Sequence, residues 1–387
     1  MDEGTVGQGY LPDIVHEAVK KPVRVLIVDD SAFMRVALSR MVATDPELSV
    51  VGTAATGNDA LQRIAALDPD VITLDLQMPG LDGMETLRRI MAQFPRPVIV
   101  VSAFTLENAE ATFNALAAGA FDYVPKMLCA ASLDVLHLRD SLISKIKAAA
   151  ESRQAKCILE GLGKEGLGKI HGLRKTSQPA QTGCAPEGHA APAVVAIGVS
   201  TGGPRALQEI LPLLPRDLPA AILLVQHMPA GFTGPLASRL NNLCQMSVCE
   251  GAHGQRVQPG IVFMAPSGLH MTVAGGINGE ISICLSRLPQ NQLHVPSINV
   301  MMESVASTFR AQAMGVIMTG MGADGAEGMK AIQKAGGWTV GQDELTCAVY
   351  GMPRVCAEMG VLQRVVSLSQ IPYEILRATR YHEVNAG

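Results

Sequence analysis

Two groups of residues could carry chemistry. The first is acidic: Asp29-Asp30 and Asp75, with Ser102 and Lys126 further along the chain. Carboxylates gathered in one place repel one another unless a cation joins them. An all-oxygen ligand set with room for waters and a phosphate suits Mg²⁺. A hydroxyl and an ammonium beside it can bind and neutralise a phosphoryl group, leaving one carboxylate as the acceptor. The second group is Ser200-Thr201-Gly202-Gly203-Pro204 with His227 and Asp324. A serine hydroxyl is a poor nucleophile at neutral pH until an imidazole takes its proton, and that imidazole needs a carboxylate to fix its tautomer. Glycines beside the serine relieve crowding, and N–H groups at a helix start can face a developing oxyanion. Taken alone, the Ser200 turn leaves two readings open, because Gly-rich turns after strands also bind phosphates.

Positioning these side chains falls to two alternating series of strands and helices. The pattern predicts strands at Val23–Val28, Ser49–Ala54, Val71–Leu74, Val98–Val101 and Phe121–Val124. Helices are predicted at Ser31–Val42, Asn58–Leu67, Gly83–Phe94 and Leu106–Ala118, with another from Ser132. Runs apolar throughout, such as Val25–Val28, suit central strands of a parallel sheet covered on both faces. The fold class is therefore α/β, with two doubly wound, mainly parallel domains joined by a linker, the first flavodoxin-like and the second Rossmann-like. In the second series strands are predicted at Val194–Val199, Ala221–Gln226, Ile261–Met264, Gly315–Met318 and Trp338–Val340, with helices starting near Pro204, Thr233, Ser297 and Gly325. Met271–Leu285 alternates like a hairpin, which predicts an antiparallel edge on the second sheet. This arrangement brings Asp29, Asp30, Asp75, Ser102 and Lys126 to one sheet edge, and Ser200, His227 and Asp324 to another. Capping of the following helices accounts for a single aspartate but not for five polar residues meeting at one edge.

Val28-Asp29-Asp30-Ser31, Asp75–Gly80, Val101-Ser102-Ala103 and Asp122-Tyr123-Val124-Pro125-Lys126 resemble receiver domains over 22–148. The resemblance implies Asp75 as acceptor of phosphate from a histidine kinase. It implies Mg²⁺ held by Asp29, Asp30, Asp75 and the Gln77 carbonyl, and Ser102, Tyr123 and Lys126 as switch residues. Receivers usually carry proline after the lysine; Met127 stands here. Gly198–Gly203, Gln226-His227-Met228-Pro229, Ala265–Gly268, His294–Ser297, Gly320–Gly325 and Asp343–Pro353 resemble the catalytic domain of chemotaxis protein-glutamate methylesterases. That resemblance implies Ser200 as nucleophile, His227 as general base and acid, and Asp324 as orienting carboxylate. It places Thr201 and the Met321 backbone near the oxyanion and calls for no cofactor at this site. It further implies hydrolysis of glutamate methyl esters, and deamidation of certain glutamines, on methyl-accepting chemoreceptors. Asn299 occupies a position where the family leads one to expect aspartate.

At 387 residues, 48% hydrophobic and 17% charged, the chain has apolar material for two cores. The predicted division is an N-terminal extension 1–21, a receiver 22–148, a linker 149–192 rich in Gly, Lys, Gln, Ser and Pro, and a catalytic domain 193–385. A net charge of −4 without a basic stripe argues against nucleic acid as a partner, and the size and α/β pattern of the second half argue against a helix-turn-helix output. No H-E-x-x-H or paired-His spacing supports a zinc hydrolase. Eight cysteines without a C-x-x-C pair read as reduced thiols. With no apolar run of membrane length and acidic residues near the N-terminus, the chain is expected to be cytoplasmic, meeting membranes only through its receptor substrates. A binding module whose triad is present but idle also remains open. His253 and His270 are assigned no catalytic role, and Met301, Met302, Val305 and Phe309 are expected in the core.

Overall fold

β1 (Val23–Val28) is buried along its last four residues, as its VLIV run requires, and it lies inside the first sheet. The computed structural model describes residues 21–103, 106–126, 132–161, 190–191, 193–276 and 279–381. After β1 come α1 (Ala32–Val42), β2 (Leu48–Ala54), α2 (Gly57–Leu67), β3 (Val71–Asp75), α3 (Gly83–Gln93), β4 (Val98–Ala103), α4 (Leu106–Ala117), β5 (Asp122–Lys126) and α5 (Ser132–Gly161). All pairings are parallel, in the order β2-β1-β3-β4-β5. The order reverses between β1 and β3, which opens a crevice beyond their C-terminal ends. Asp29-Asp30 and Asp75 sit at that crevice. Ser31 caps α1 and Asp82 caps α3 through their side chains, so the helices leave the sheet immediately after the acidic turns. The N-terminal extension up to residue 20, Met127, and 162–189 and 192 of the predicted linker lie outside the described residues. The start of that predicted linker is helical, because α5 runs on to Gly161.

The second half contains β6 (Val194–Val199), α6 (Gly203–Ile210), β7 (Ala221–Gln226), α7 (Thr233–Leu243), β8 (Ser247–Glu250), β9 (Ile261–Met264), β10 (His270–Gly275) and β11 (Ile281–Ser286). Then follow α8 (Ile298–Phe309), β12 (Ala313–Ile317), α9 (Ala326–Lys334), β13 (Trp338–Gln342), α10 (Met352–Glu358), β14 (Arg364–Val366) and α11 (Ile371–Ala378). Seven strands pair in parallel in the order β14-β13-β12-β6-β7-β9-β8, with the reversal between β12 and β6. The predicted antiparallel edge is not part of this sheet. Short β8 takes the edge beside β9, and β10-β11 form a separate two-stranded sheet packed on α8, where Ser304 Oγ receives the Val273 N–H at 3.1 Å. Met301, Met302 and Val305 are fully buried beneath it, as their spacing predicts.

The halves touch through α4, which packs on α6 and α7. Phe232, just before α7, lies 5.0 Å from the Tyr123 ring and 6.3 Å from Phe113, edge-on to the latter, so one apolar cluster runs through both halves. Arg239 on α7 adds a 2.7 Å hydrogen bond to Asn114 Oδ1 on α4. Cys244, Cys249, Cys284, Cys347 and Cys356 are free thiols.

Candidate active site and phosphoacceptor cluster

β6 ends at Val199, and the chain turns at once into α6. Gly202 makes the turn at φ +77, a conformation that favours glycine, and a Cβ there would meet Ala348 at 2.5 Å. α6 carries no side-chain cap. Among the described residues neither the Thr201 nor the Met321 amide donates a hydrogen bond. Both residues line one cavity of about 610 Å³ together with Ser200 and His227. Gly320 packs so closely that a Cβ on it would lie 2.7 Å from Ser200 Cβ.

His227 leaves β7 one position past its end. Its Nε2 lies 2.8 Å from Asp324 Oδ2, with the two side chains 7% and 11% exposed. Nε2–H therefore donates to Asp324, and Nδ1 is left as the basic nitrogen, buried and without a hydrogen-bond partner. Asp324 is held from its other side by Ser297 Oγ at 3.0 Å, Ile298 N at 2.8 Å and Asn299 N at 3.0 Å, the start of α8. Burial works against its charge, yet the His227 bond and the α8 amides outweigh it and bring the carboxyl down to about 2. His294 stacks on His227 at 4.0 Å between centroids and 22° between planes. Burial, with His227 beside it, lowers His294 to about 4. Of the three predicted triad members, the structure thus couples His227 to Asp324. It places Ser200 on the same cavity wall without a Ser200–His227 hydrogen bond.

Three contributors were not assigned from sequence. His294 and the α8 amides belong to His294–Ser297 and the residues after it, where a histidine before a Ser helix cap was the available signal. Gln226, 2% exposed, donates Nε2 to Ser200 O and to His227 O, both at 2.9 Å. Asn299 lies outside the triad: its Oδ1 accepts from Gly325 N at 3.0 Å and Gly328 N at 2.9 Å. His270 is a buried, satisfied histidine, with Nδ1 receiving the Ser297 N–H at 3.1 Å and Nε2 lying 3.1 Å from Pro289 O.

In the first half, carboxylate oxygens of Asp29, Asp30 and Asp75 lie within 4.8 Å of one another. Lys126 Nζ sits between Asp29 at 2.8 Å and Asp75 at 2.6 Å. Burial pushes the Asp75 carboxyl up despite Lys126 and the Gln77 amide. Burial also opposes the Lys126 charge, but the two carboxylates prevail and raise its pKa. Three carboxylates against one ammonium leave an excess of about two negative charges on oxygen ligands, which fits a divalent hard cation. Gln77 lies at the exposed rim, its N–H on Asp75 Oδ1 at 3.1 Å. Ser102 is buried in β4, next to Val101, which pairs with Asp75. Tyr123 is buried too, and burial raises its hydroxyl pKa well above the usual value. Lys145 reaches the Tyr123 carbonyl at 2.6 Å and Asp122 at 3.3 Å.

The response regulator receiver domain family matches residues 25–136, and the CheB methylesterase family matches residues 195–375. A protein-glutamate methylesterase/protein-glutamine glutaminase of Symbiobacterium thermophilum is 47% identical over 368 residues, covering 94% of this chain and 98% of its own. The chain belongs to the protein-glutamate methylesterase/protein-glutamine glutaminase family. A second member, from Nitratidesulfovibrio vulgaris, is 43% identical over 378 residues, covering 92% and 98%. The solved CheB methylesterase catalytic domain of Thermotoga maritima aligns at 36% identity with a TM-score of 0.47, covering 48% of this chain and 98% of that one. Membership makes the chain a carboxylic ester hydrolase with an attached receiver.

Proposed function

We propose that the chain hydrolyses glutamate methyl esters, and deamidates particular glutamines, on chemotaxis receptors, with Ser200 as nucleophile. The observation that carries this reading is the His227–Asp324 pair, which leaves Nδ1 without a hydrogen-bond partner on a residue that lines the same cavity as Ser200. Ser200 Oγ attacks the ester carbonyl while His227 Nδ1 takes its proton, and Asp324 holds the imidazolium that forms. The tetrahedral oxyanion faces the Thr201 and Met321 amides. Its collapse breaks the bond to methoxide, which leaves as methanol with the proton from His227. Water then cleaves the acyl-enzyme by the same steps. For a glutamine substrate the leaving group is ammonia. The reading requires Ser200 Oγ and His227 Nδ1 to close to about 3 Å once substrate binds.

In the same proposal Asp75 takes phosphate from a histidine kinase. Asp29, Asp30, Asp75 and the Gln77 carbonyl would hold Mg²⁺, which would neutralise the phosphoryl group, and Lys126 would turn from the carboxylates to the phosphate. Tyr123 and Lys145 of the receiver line the same cavity as Ser200, which supports a blocked resting state that phosphorylation, acting through Ser102 and Tyr123, makes less populated. We assign the extension to 1–21, the receiver to 22–148, the linker to 149–192 and the catalytic domain to 193–385. Among the described residues no helix is long and apolar enough to cross a membrane, and we place the chain in the cytoplasm, where receptor helices would be offered to it. Methanol release from methylated receptor membranes tests the reading. Ser200→Ala should abolish it while leaving phosphorylation of Asp75 intact; release undiminished in that variant would remove the nucleophile.

A further inference from the structure

The ladder between β6 and β7 ends with Val199 opposite Gln226, where the His227 N–H bonds Val199 O at 3.1 Å. Beyond it the strands part, Ser200 turning into α6 and His227 into a loop. The next rung is made by a side chain. The Gln226 amide nitrogen lies 2.9 Å from Ser200 O and 2.9 Å from His227 O, so one group ties the nucleophile's own carbonyl to the base's own carbonyl. We infer that Gln226 is a positioning residue for the hydrolytic reaction, holding Ser200 and His227 at a fixed separation across the end of the sheet. The inference rests on the proposed serine hydrolase reading.

Folding alone accounts for the two donations of the Gln226 amide but not for its oxygen. Its Oε1 is buried without a hydrogen-bond partner, and an unpaired buried acceptor costs stability that an apolar side chain of the same length would not incur. The surroundings are built to admit it: a Cβ on Gly203 would lie 2.0 Å from that oxygen, so α6 can start this close to the sheet only because residue 203 is glycine. The amide touches no reacting atom. What it controls is backbone separation, and displacement of reacting groups by about 1 Å is worth up to about 100-fold in rate.

The test uses the full chain, activated with acetyl phosphate, and three variants. Gln226→Met keeps length and removes both donations. We expect kcat for methanol release to fall about 10- to 100-fold with KM nearly unchanged, and inactivation of Ser200 by phenylmethylsulfonyl fluoride to slow in parallel. Gln226→Glu supplies a readout that a merely structural role would not move. Ionised, it presents only acceptors to two carbonyls; protonated, it donates again. Its kcat, taken as a ratio to the parent's at the same pH, should therefore rise as pH falls. This comparison across pH holds even if Gln226→Met proves unstable. A Gln226→Met kcat within about threefold of the parent, or a Gln226→Glu profile parallel to the parent's, would overturn the inference. Ser200→Ala run alongside keeps the two readings apart: full activity there defeats the nucleophile itself, whereas silence there with active Gln226 variants defeats only the positioning role.

Discussion

At the scale of single residues, the site separates charge from contact. Asp324 is anionic and fully engaged, with His227 on one side and the α8 amides on the other, so the imidazole's tautomer is set before substrate arrives. His294 covers one face of His227 while staying neutral, so it would place no second positive charge beside the imidazolium that the proposed reaction creates. That neutrality has a measurable price in acid. With its folded pKa lowered from 6.5 to about 4, the native state binds fewer protons than the unfolded chain. The contribution is therefore whole above the unfolded value and is lost as pH falls through the folded one. Urea midpoints taken at about pH 7 and about pH 5 should show the parent losing more stability than His294→Gln. An identical loss in both proteins would mean that His294 is not the group responsible.

Among elements, the crossing of α8 and α9 is what holds Asp324 in place. α9 begins at Gly325, φ +99, with no capping side chain of its own. Asn299, reaching from α8, takes the amide hydrogens of Gly325 and Gly328, acting as a cap supplied by a neighbouring helix. Asn299→Ala orphans two amides and should destabilise the second half by about 1–3 kcal/mol. It should also lower kcat, since Asp324 immediately precedes Gly325; denaturant unfolding and methanol release would measure the two effects, and unchanged values of both would refute the capping role. The α/β class and most strands were legible in the sequence because buried parallel strands are apolar runs bounded by turns, as in Val194–Val199 and Ala221–Gln226. The four-residue β8 and three-residue β14 carry too little periodicity to be read. The hairpin's pairing was legible, but its separation from the main sheet was not, since alternation fixes which face is apolar and not which element covers it. The same limit applies to the site. Ser200, His227 and Asp324 stand at strand ends where chemistry is expected, whereas Gln226, Asn299 and the α8 amides act through contacts between segments distant in sequence.

For the molecule as a whole, the two α/β halves meet beside the cavity that Ser200 lines, away from the acidic crevice of the first sheet. The receiver face formed by α4, β5 and α5 meets α6, α7 and the mouth of the Ser200 cavity, with Phe113, Tyr123 and Phe232 as its apolar centre. If this contact excludes a receptor helix, the resting activity reports the fraction of molecules in which it is broken. While that fraction is small, losing about 1.4 kcal/mol of interface free energy raises it roughly tenfold. A buried aromatic at such a centre is worth at least that much, and a single hydrogen bond somewhat less. Phe113→Ala should therefore increase methanol release by the unphosphorylated chain about tenfold and shrink the further stimulation by acetyl phosphate. Arg239→Ala, which removes the bond to Asn114 with less disturbance to the receiver core, should move both quantities the same way by a few-fold. Asp75→Asn should hold the resting rate and respond to no phosphodonor, and combined with Phe113→Ala it should keep the raised rate, because the substitution at the interface acts downstream of the phosphate. A double variant that fell back to the resting rate would show that the contact seen here is not what restrains the enzyme.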